Sequence, residues 1–440
     1  MNRSLKRSLD LFDRARAVVA GQTQLLSRHP TRHAFGVSPI YAERAAGCRF
    51  WDVDGNEYID MTGGTGVIYL GYCHPEVDEA AIEQIRRGIA YPVNSPLEVE
   101  LAELLIEAIP CAEMVRYAKG GGEANAVAVR LARAYTGRDK VLFCGYHGWH
   151  DWYIAGNLTR GQGLSEFLFP GVPVAGVPRA LAGTAIPFGY NDLHGLRRAL
   201  DANRGEVACI IMEPARFRQP EPGFLEEVRS LADEYGVVLI FDEVVTGFRY
   251  ARGGAQEYFG VRPDIATFGK AVGNGYPISV IAGRRDVMDA VSTSFVSSSY
   301  WSEPASMAAA AAIQRIIRRD SVIEHIWRMG ERLQEGIRRI GGDLGLPIGI
   351  RGLPPVFQIA FELDGANKYA TLMTQEMAKR GVHMITGVYV MYAHRPADVD
   401  DVLSAFEEVA GILKRAREEG GPDKFLEVPE ARSVFGRRLV

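Results

Sequence analysis

MVRYAKGGGEANAVAVRLARAYTGR, Met114 to Arg138, is the stretch whose reading decides the fold. A short β-branched and aromatic run, MVRYA, ends at three consecutive glycines, Gly120, Gly121 and Gly122. A strong helical pattern follows, with Gly137 as its stop. Glycine beside a helix costs stability unless the chain must turn sharply or let something come close. A helix N-terminus with bare amides and no side chains in the way is suited to hold an anion.

The strand-turn-helix alternation continues outward from this stretch. KVLFCG (140–145), VACIIME (207–213), VVLIFDE (237–243), DIATFG (264–269) and ISVIAG (278–283) are nearly continuous apolar runs, as in strands buried on both faces. Helical patterns over 123–136, 192–202 and 223–235 separate them. This is an α/β layer architecture with a mainly parallel sheet between helices. Upstream, helices are expected over 75–87 and 97–109, and RFWDVDGNEYIDM reads as a hairpin turning at Asp54-Gly55. Downstream come two long helices between 304 and 340, a strand at 356–363, and helices at 368–380 and 396–418. These form a smaller α+β unit joined by the N-terminal hairpin region. The expected organisation is an N-terminal segment (1–75), a large domain (76–305) and a C-terminal small domain (306–440). The last twenty residues read as a loosely held tail.

Bulk properties exclude several function classes. The chain has 440 residues, 47% hydrophobic and 24% charged, with net charge −4 from 50 basic and 54 acidic residues. That balance fits neither a nucleic-acid partner nor an anionic membrane surface. No apolar run approaches the roughly 18 residues of a spanning helix. Leu5, Leu9, Phe12 and Val19 share one helical face, which reads as a docked helix and not a signal peptide. The five cysteines lack any paired framework, as in a reduced cytoplasmic protein.

Among chemical motifs, Walker A fails because Gly269-Lys270 is followed by Ala271, and neither GxGxxG after a strand nor GxSxG is present. His147, His150 and Asp151 form an HxxHD cluster, but Tyr146, Trp149 and Trp152 around it read as packing, and no metal is expected. Three features remain. Asp242 closes an apolar strand, where ligand sites of α/β sheets form. Lys270 ends another strand among Gly269, Gly273 and Gly275; a partly desolvated lysine has a lowered pKa and forms Schiff bases. The glycine turn supplies the anion cradle. A phosphate, a carbonyl for the lysine and a cationic ring for the aspartate describe pyridoxal 5′-phosphate (PLP). Tyr146 would stack on one ring face and Val244 press on the other.

These residues resemble the class III aminotransferases of PLP fold type I, nearest the glutamate-1-semialdehyde 2,1-aminomutase-like branch. The resemblance runs from about Ser8 to Gly411. It includes WDVDGNEYID (51–60), YHG (146–148), EP (213–214), PGFL (222–225), LIFDEVVTGFR (239–249), GGAQEYFGVRPDIATFGKAVGNGYP (253–277) and SSYWSEP (298–304). It implies a seven-stranded-type sheet, Lys270 as the Schiff-base lysine, and Asp242 paired with the ring nitrogen. It also implies Tyr146 and His147 beside the cofactor, Val244 on the opposite ring face, Gly120–Gly122 on the phosphate, and Glu213 and Glu243 as nearby acids. Ser299 falls where the family reaches the phosphate from a neighbouring subunit, so a homodimer with shared sites is implied.

The family turn reads Ser-Gly-Thr; here it is Gly-Gly-Gly, which removes two hydroxyls and predicts weaker cofactor retention than a Gly122→Thr variant. Ser299 and Glu303 replace the aminomutase's usual Thr and Asn, and Trp301 is bulky, which sets this chain apart from that enzyme. The expected reaction moves an amino group from an amino acid donor to a keto or aldehyde acceptor, through the Lys270 Schiff base and pyridoxamine phosphate. Arg32, Arg216 and Arg218 are candidate carboxylate or phosphate clamps for an acidic or phosphorylated acceptor. An aminomutase, a racemase or epimerase, and a non-catalytic PLP-fold binding protein are the alternatives.

Overall fold

The computed structural model describes residues 3–159, 164 and 172–432. The chain forms two compact units, 75–323 and the combination of 1–74 with 324–440. The second division falls after Ile323, whereas the sequence placed it at 305/306. The physical reason lies in α6 (Pro304–Arg319), which packs on α1 (Pro75–Arg87) and α2 (Leu97–Ala108) and so belongs with the larger unit.

The larger unit is built on a seven-stranded sheet. In chain order its strands are β1 (Met114–Ala118), β2 (Lys140–Cys144), β3 (Ala185–Pro187), β4 (Val207–Met212), β5 (Val238–Asp242), β6 (Ile265–Phe268) and β7 (Ser279–Gly283). Their spatial order is β1-β7-β6-β5-β4-β2-β3. Only β7 runs antiparallel to its neighbours β1 and β6; the other pairs are parallel. Strands β4 to β7 are buried along their whole length, which is why they read as continuous apolar runs rather than alternating ones. Helices α3 (Gly121–Thr136), α4 (Leu193–Ala202) and α5 (Phe224–Tyr235) supply the covering layers. On one face Val127, Ala128, Leu131 and Ala132 of α3 pack with Val141, Phe143, Ile211, Ile240 and Ile281. On the other, Leu196, Leu200, Val228 and Leu231 pack with Leu142, Ile210, Leu239 and Phe241. β3 escaped sequence reading because it is three residues long and ends in proline.

In the smaller unit a helix at Lys6–Val18 docks on the hairpin of Arg49–Asp52 and Glu57–Asp60. Asp54 at the hairpin tip accepts the amides of Arg7 (2.7 Å) and Ser8 (3.0 Å), capping that helix from across the turn. The hairpin belongs to a four-stranded sheet, and the unit also holds helices at Val322–Asp343, Ala366–Lys379 and Pro396–Glu418 and a three-stranded antiparallel sheet. The tail is not loose as far as Arg432: Gln375 bonds Phe425 O and Glu427 N, and Thr371 Oγ1 accepts Ala431 N. The rest of it lies outside the described residues.

Candidate active site

Strand β5 delivers Asp242 to the C-terminal edge of the sheet, 3% exposed. Its Oδ2 accepts Asn125 Nδ2 at 2.7 Å and faces His147 Nδ1 at 2.8 Å. A carboxylate only accepts, so His147 carries its proton on Nδ1. Thr267 Oγ1, on β6, donates to Asn125 Oδ1 at 2.6 Å and fixes the amide's orientation. Oδ1 accepts Val244 N at 3.1 Å and retains acceptor capacity for one more donor. Asn125 and Thr267 are site residues that sequence reading missed. Both belong to stretches already singled out, GGGEAN and DIATFG, but their pairing spans 142 residues of chain.

Lys270 opens a 3-10 turn directly after β6 and Gly269. Its φ is +47°, the left-handed region that a residue with a side chain seldom adopts. Gly273 and Asn274 amides bond its carbonyl at 3.0 and 3.1 Å and hold that conformation in place. Strain of this kind, over-determined by its surroundings, clusters at functional sites.

The glycine turn lies at the start of the 16-residue α3. Glu123 reaches back and takes the amides of Lys119 and Gly120, each at 3.0 Å. The first-turn amides that have no helical carbonyl to bond are therefore those of Gly121, Gly122 and Glu123. A Cβ on Gly121 would stand 3.0 Å from both Val244 γ-carbons, and one on Gly269 would stand 3.3 Å from Val244 Cγ1. Val244 thus sits between the glycine turn and the lysine turn, and brings the three sequence features into one place.

Tyr146 follows β2; its amide donates to Glu213 Oε2 at 3.0 Å, and burial pushes its phenol pKa up. Its ring meets Tyr153 edge-on. Gly145, with φ +121°, allows this approach, since a Cβ there would lie 2.8 Å from Glu213 Oε2. Arg216 Nη1 lies 3.4 Å from Glu213 Oε1, with its guanidinium over the Phe217 ring. Arg216, Glu213 and Tyr146 therefore form one group, while Arg218 is exposed. Ser299 is exposed at the start of a 3-10 turn, which Lys119 ties down through Glu303 at 3.0 Å. Arg32 belongs to the smaller unit, on the turn Pro30–Arg32, where burial lowers its pKa. A cavity of about 510 Å³ in that unit is lined by Arg28, His33, Asp60 and His383, and Arg32 is not among its walls.

Glu243, adjacent to Asp242, does different work. It is fully buried, accepts Thr246 Oγ1 (2.5 Å) and the amides of Ala255 (2.7 Å) and Gln256 (2.9 Å), and its pKa is raised by burial. It caps a short helix inside the core. The described residues hold no cluster of metal-ligating side chains, and none of their helices is long and apolar enough to cross a membrane.

Comparison with known proteins accords with this geometry. Residues 32–409 match the family model for class-III aminotransferases. The chain is 35% identical over 424 residues to 3-aminobutyryl-CoA aminotransferase of Cloacimonas acidaminovorans, covering 93% of this chain and 98% of that protein. It is 36% identical over 395 residues to glutamate-1-semialdehyde 2,1-aminomutase of Syntrophobacter fumaroxidans, covering 84% and 90%. The solved FumI protein of Sphingopyxis sp. MTA144, in its PLP internal aldimine form, superposes with a TM-score of 0.87 at 28% identity, covering 97% of this chain and 99% of that one. The chain belongs to the class III aminotransferases, PLP-dependent enzymes of fold type I. The donor set suits that cofactor: open amides for a phosphate, a buried carboxylate with spare acceptor capacity for a protonated ring nitrogen, and a lysine on the adjoining turn for the aldehyde.

Proposed function

We propose that the chain transfers an amino group from an amino acid donor to a keto or aldehyde acceptor that carries a carboxylate or phosphate. The observation that carries this reading is Val244 wedged between Gly121 and Gly269, which sets the anion-holding turn, Asp242 and Lys270 around one small volume. Bound there, PLP would supply an aldehyde carbon for the amine and a cationic ring that draws electrons from the substrate.

The chain's own residues do the rest. The Gly121, Gly122 and Glu123 amides hold the phosphate. Asp242 accepts from the ring nitrogen, and Asn125 and His147 keep its carboxylate oriented, so the negative charge stays opposite the ring. Tyr146 and Val244 confine the ring from its two faces. Lys270 Nζ takes a proton from the substrate carbon and returns it to the cofactor side, as general base and then acid. Arg216 and Arg218 follow the β4 end and offer guanidinium groups to the acceptor's anion; Arg216 is partly neutralised by Glu213 already, so the pair divides the task unequally. The dimer reading is supported by the exposure of Trp149 (74%), Phe295 (87%) and Tyr300 (74%), the last two flanking Ser299. Five free cysteines support a reducing, cytoplasmic setting.

The test is a single-turnover assay without acceptor. Holoenzyme is mixed in turn with glutamate, alanine, aspartate and 3-aminobutyryl-CoA, the compound in one relative's name. A transaminase releases one equivalent of the carbonyl product per active site and stops. Release of no free carbonyl product, with the substrate isomerised or racemised, replaces this reading with the aminomutase or racemase one. Lys270→Ala should lower turnover by about 10³-fold or more, since both cofactor exchange and proton transfer are lost.

A further inference from the structure

The two glycines that stand where the family carries hydroxyls are not equivalent. Gly120 has φ −116° and ψ 148°, a conformation open to any residue, and a Cβ there would meet nothing within 4 Å. Gly122 is different. A Cβ on it would lie 3.2 Å from both Cε1 and Nδ1 of His150, and 3.6 Å from Gly148 Cα. The Trp149 ring, 74% exposed, stacks on His150 at 4.5 Å and 21°, so the imidazole moves away from the turn only by giving up or carrying along that stack. Its Nδ1, the ring atom nearest the turn together with Cε1, is buried and has no hydrogen-bond partner, so no polar contact on that side of the ring sets its distance from Gly122. The approach is reinforced by Gly148, at φ +104°, where a Cβ would lie 2.8 Å from Gly122 Cα.

We propose that His150 is a positioning residue for the cofactor-phosphate turn: its ring fills the space that a side chain at 122 would need, so the turn grips phosphate through backbone amides. Positions 122 and 150 are then coupled, whereas position 120 is free. This rests on the functional reading above and goes beyond it. It predicts the opposite of the expectation that threonine at 122 would by itself strengthen cofactor retention. With His150 present, threonine displaces the ring or shifts the first turn of α3, and the amides lose their aim. With His150 shortened, the same threonine has room and its hydroxyl becomes an additional donor.

The experiment measures PLP dissociation constants of the apoprotein by equilibrium dialysis, with apoprotein melting followed alongside. The set is the parent, Gly120→Ser, Gly122→Thr, His150→Ala and Gly122→Thr/His150→Ala. One added hydrogen bond corresponds to about threefold to tenfold in affinity, so Gly120→Ser should bind PLP tighter by about that factor. Gly122→Thr should bind more weakly by a similar factor, and the double variant should recover at least the parent's affinity. The proposal is overturned if threonine at 122 has the same effect with His150 as without it, or if Gly120→Ser weakens binding. Should Gly122→Thr fail to fold, the double variant against His150→Ala decides: tighter binding by the double supports the coupling, and no gain overturns it. A parent protein that does not bind PLP at all overturns the functional reading instead.

Discussion

Two glycine-rich turns follow strands in this chain, Gly120–Gly122 in the larger unit and Thr62–Gly66 in the smaller. They look alike in sequence and differ in where their amides go. In the second, Asp60 accepts Thr62 N (2.7 Å), Thr62 Oγ1 (2.7 Å), Gly64 N (3.0 Å) and the Tyr72 hydroxyl (2.8 Å). That turn is closed around its own carboxylate, and its left-handed residues, Gly63, Gly64, Thr65 and Gly66, serve the winding. In the first, Glu123 takes only the two amides ahead of the helix, and the next three point out of the helix start. A count of glycines does not separate a structural turn from a binding turn; the fate of the amides does.

The contrast can be broken at several points. Asp60→Ala should be the most damaging change, because four donors lose their acceptor at a site only 1% exposed. A loss of about 4 kcal/mol is expected, read from urea unfolding of the apoprotein; a loss below about 1 kcal/mol would mean that water replaces the carboxylate and that the turn is not closed in this sense. Gly148→Ala comes next. Its Cβ would collide with Gly122 Cα, and its φ suits glycine, so about 2–3 kcal/mol of stability should go together with a PLP affinity weaker by tenfold or more. Unchanged affinity would show that the loop carrying Tyr146 and His147 does not set the turn. Glu123→Gln should be mildest. It keeps the shape and one acceptor oxygen, so helix stability falls by about 0.5–1 kcal/mol and PLP affinity moves less than threefold. A large loss of affinity on that change would place the Glu123 side chain, and not only its amide, in the anion site.

What was legible in the sequence follows the same division between local and distant causes. Strands β2 and β4 to β7 were visible because burial on both faces leaves no polar alternation to confuse them; β1, only partly buried at the sheet edge, was visible from its β-branched and aromatic run ahead of the glycines. Asp242 and Lys270 were visible because a charge at the end of an apolar strand stands out in one short window. Asn125 and Thr267 were not, since each acquires its role from a partner elsewhere in the chain; His150 stood out only within the HxxHD cluster, with nothing in the sequence to tie it to Gly122. Glu243 shows the converse. It shares the pattern that singled out Asp242, yet alternation along the strand end sends it to the other side, into a core of backbone amides.

The two methyl groups of Val244 lie against the glycine turn on one flank and against Gly269, just before Lys270, on the other. The residue therefore acts as a spacer between the amide turn and the lysine turn: isoleucine there would push the two turns apart, and alanine would let them settle inward.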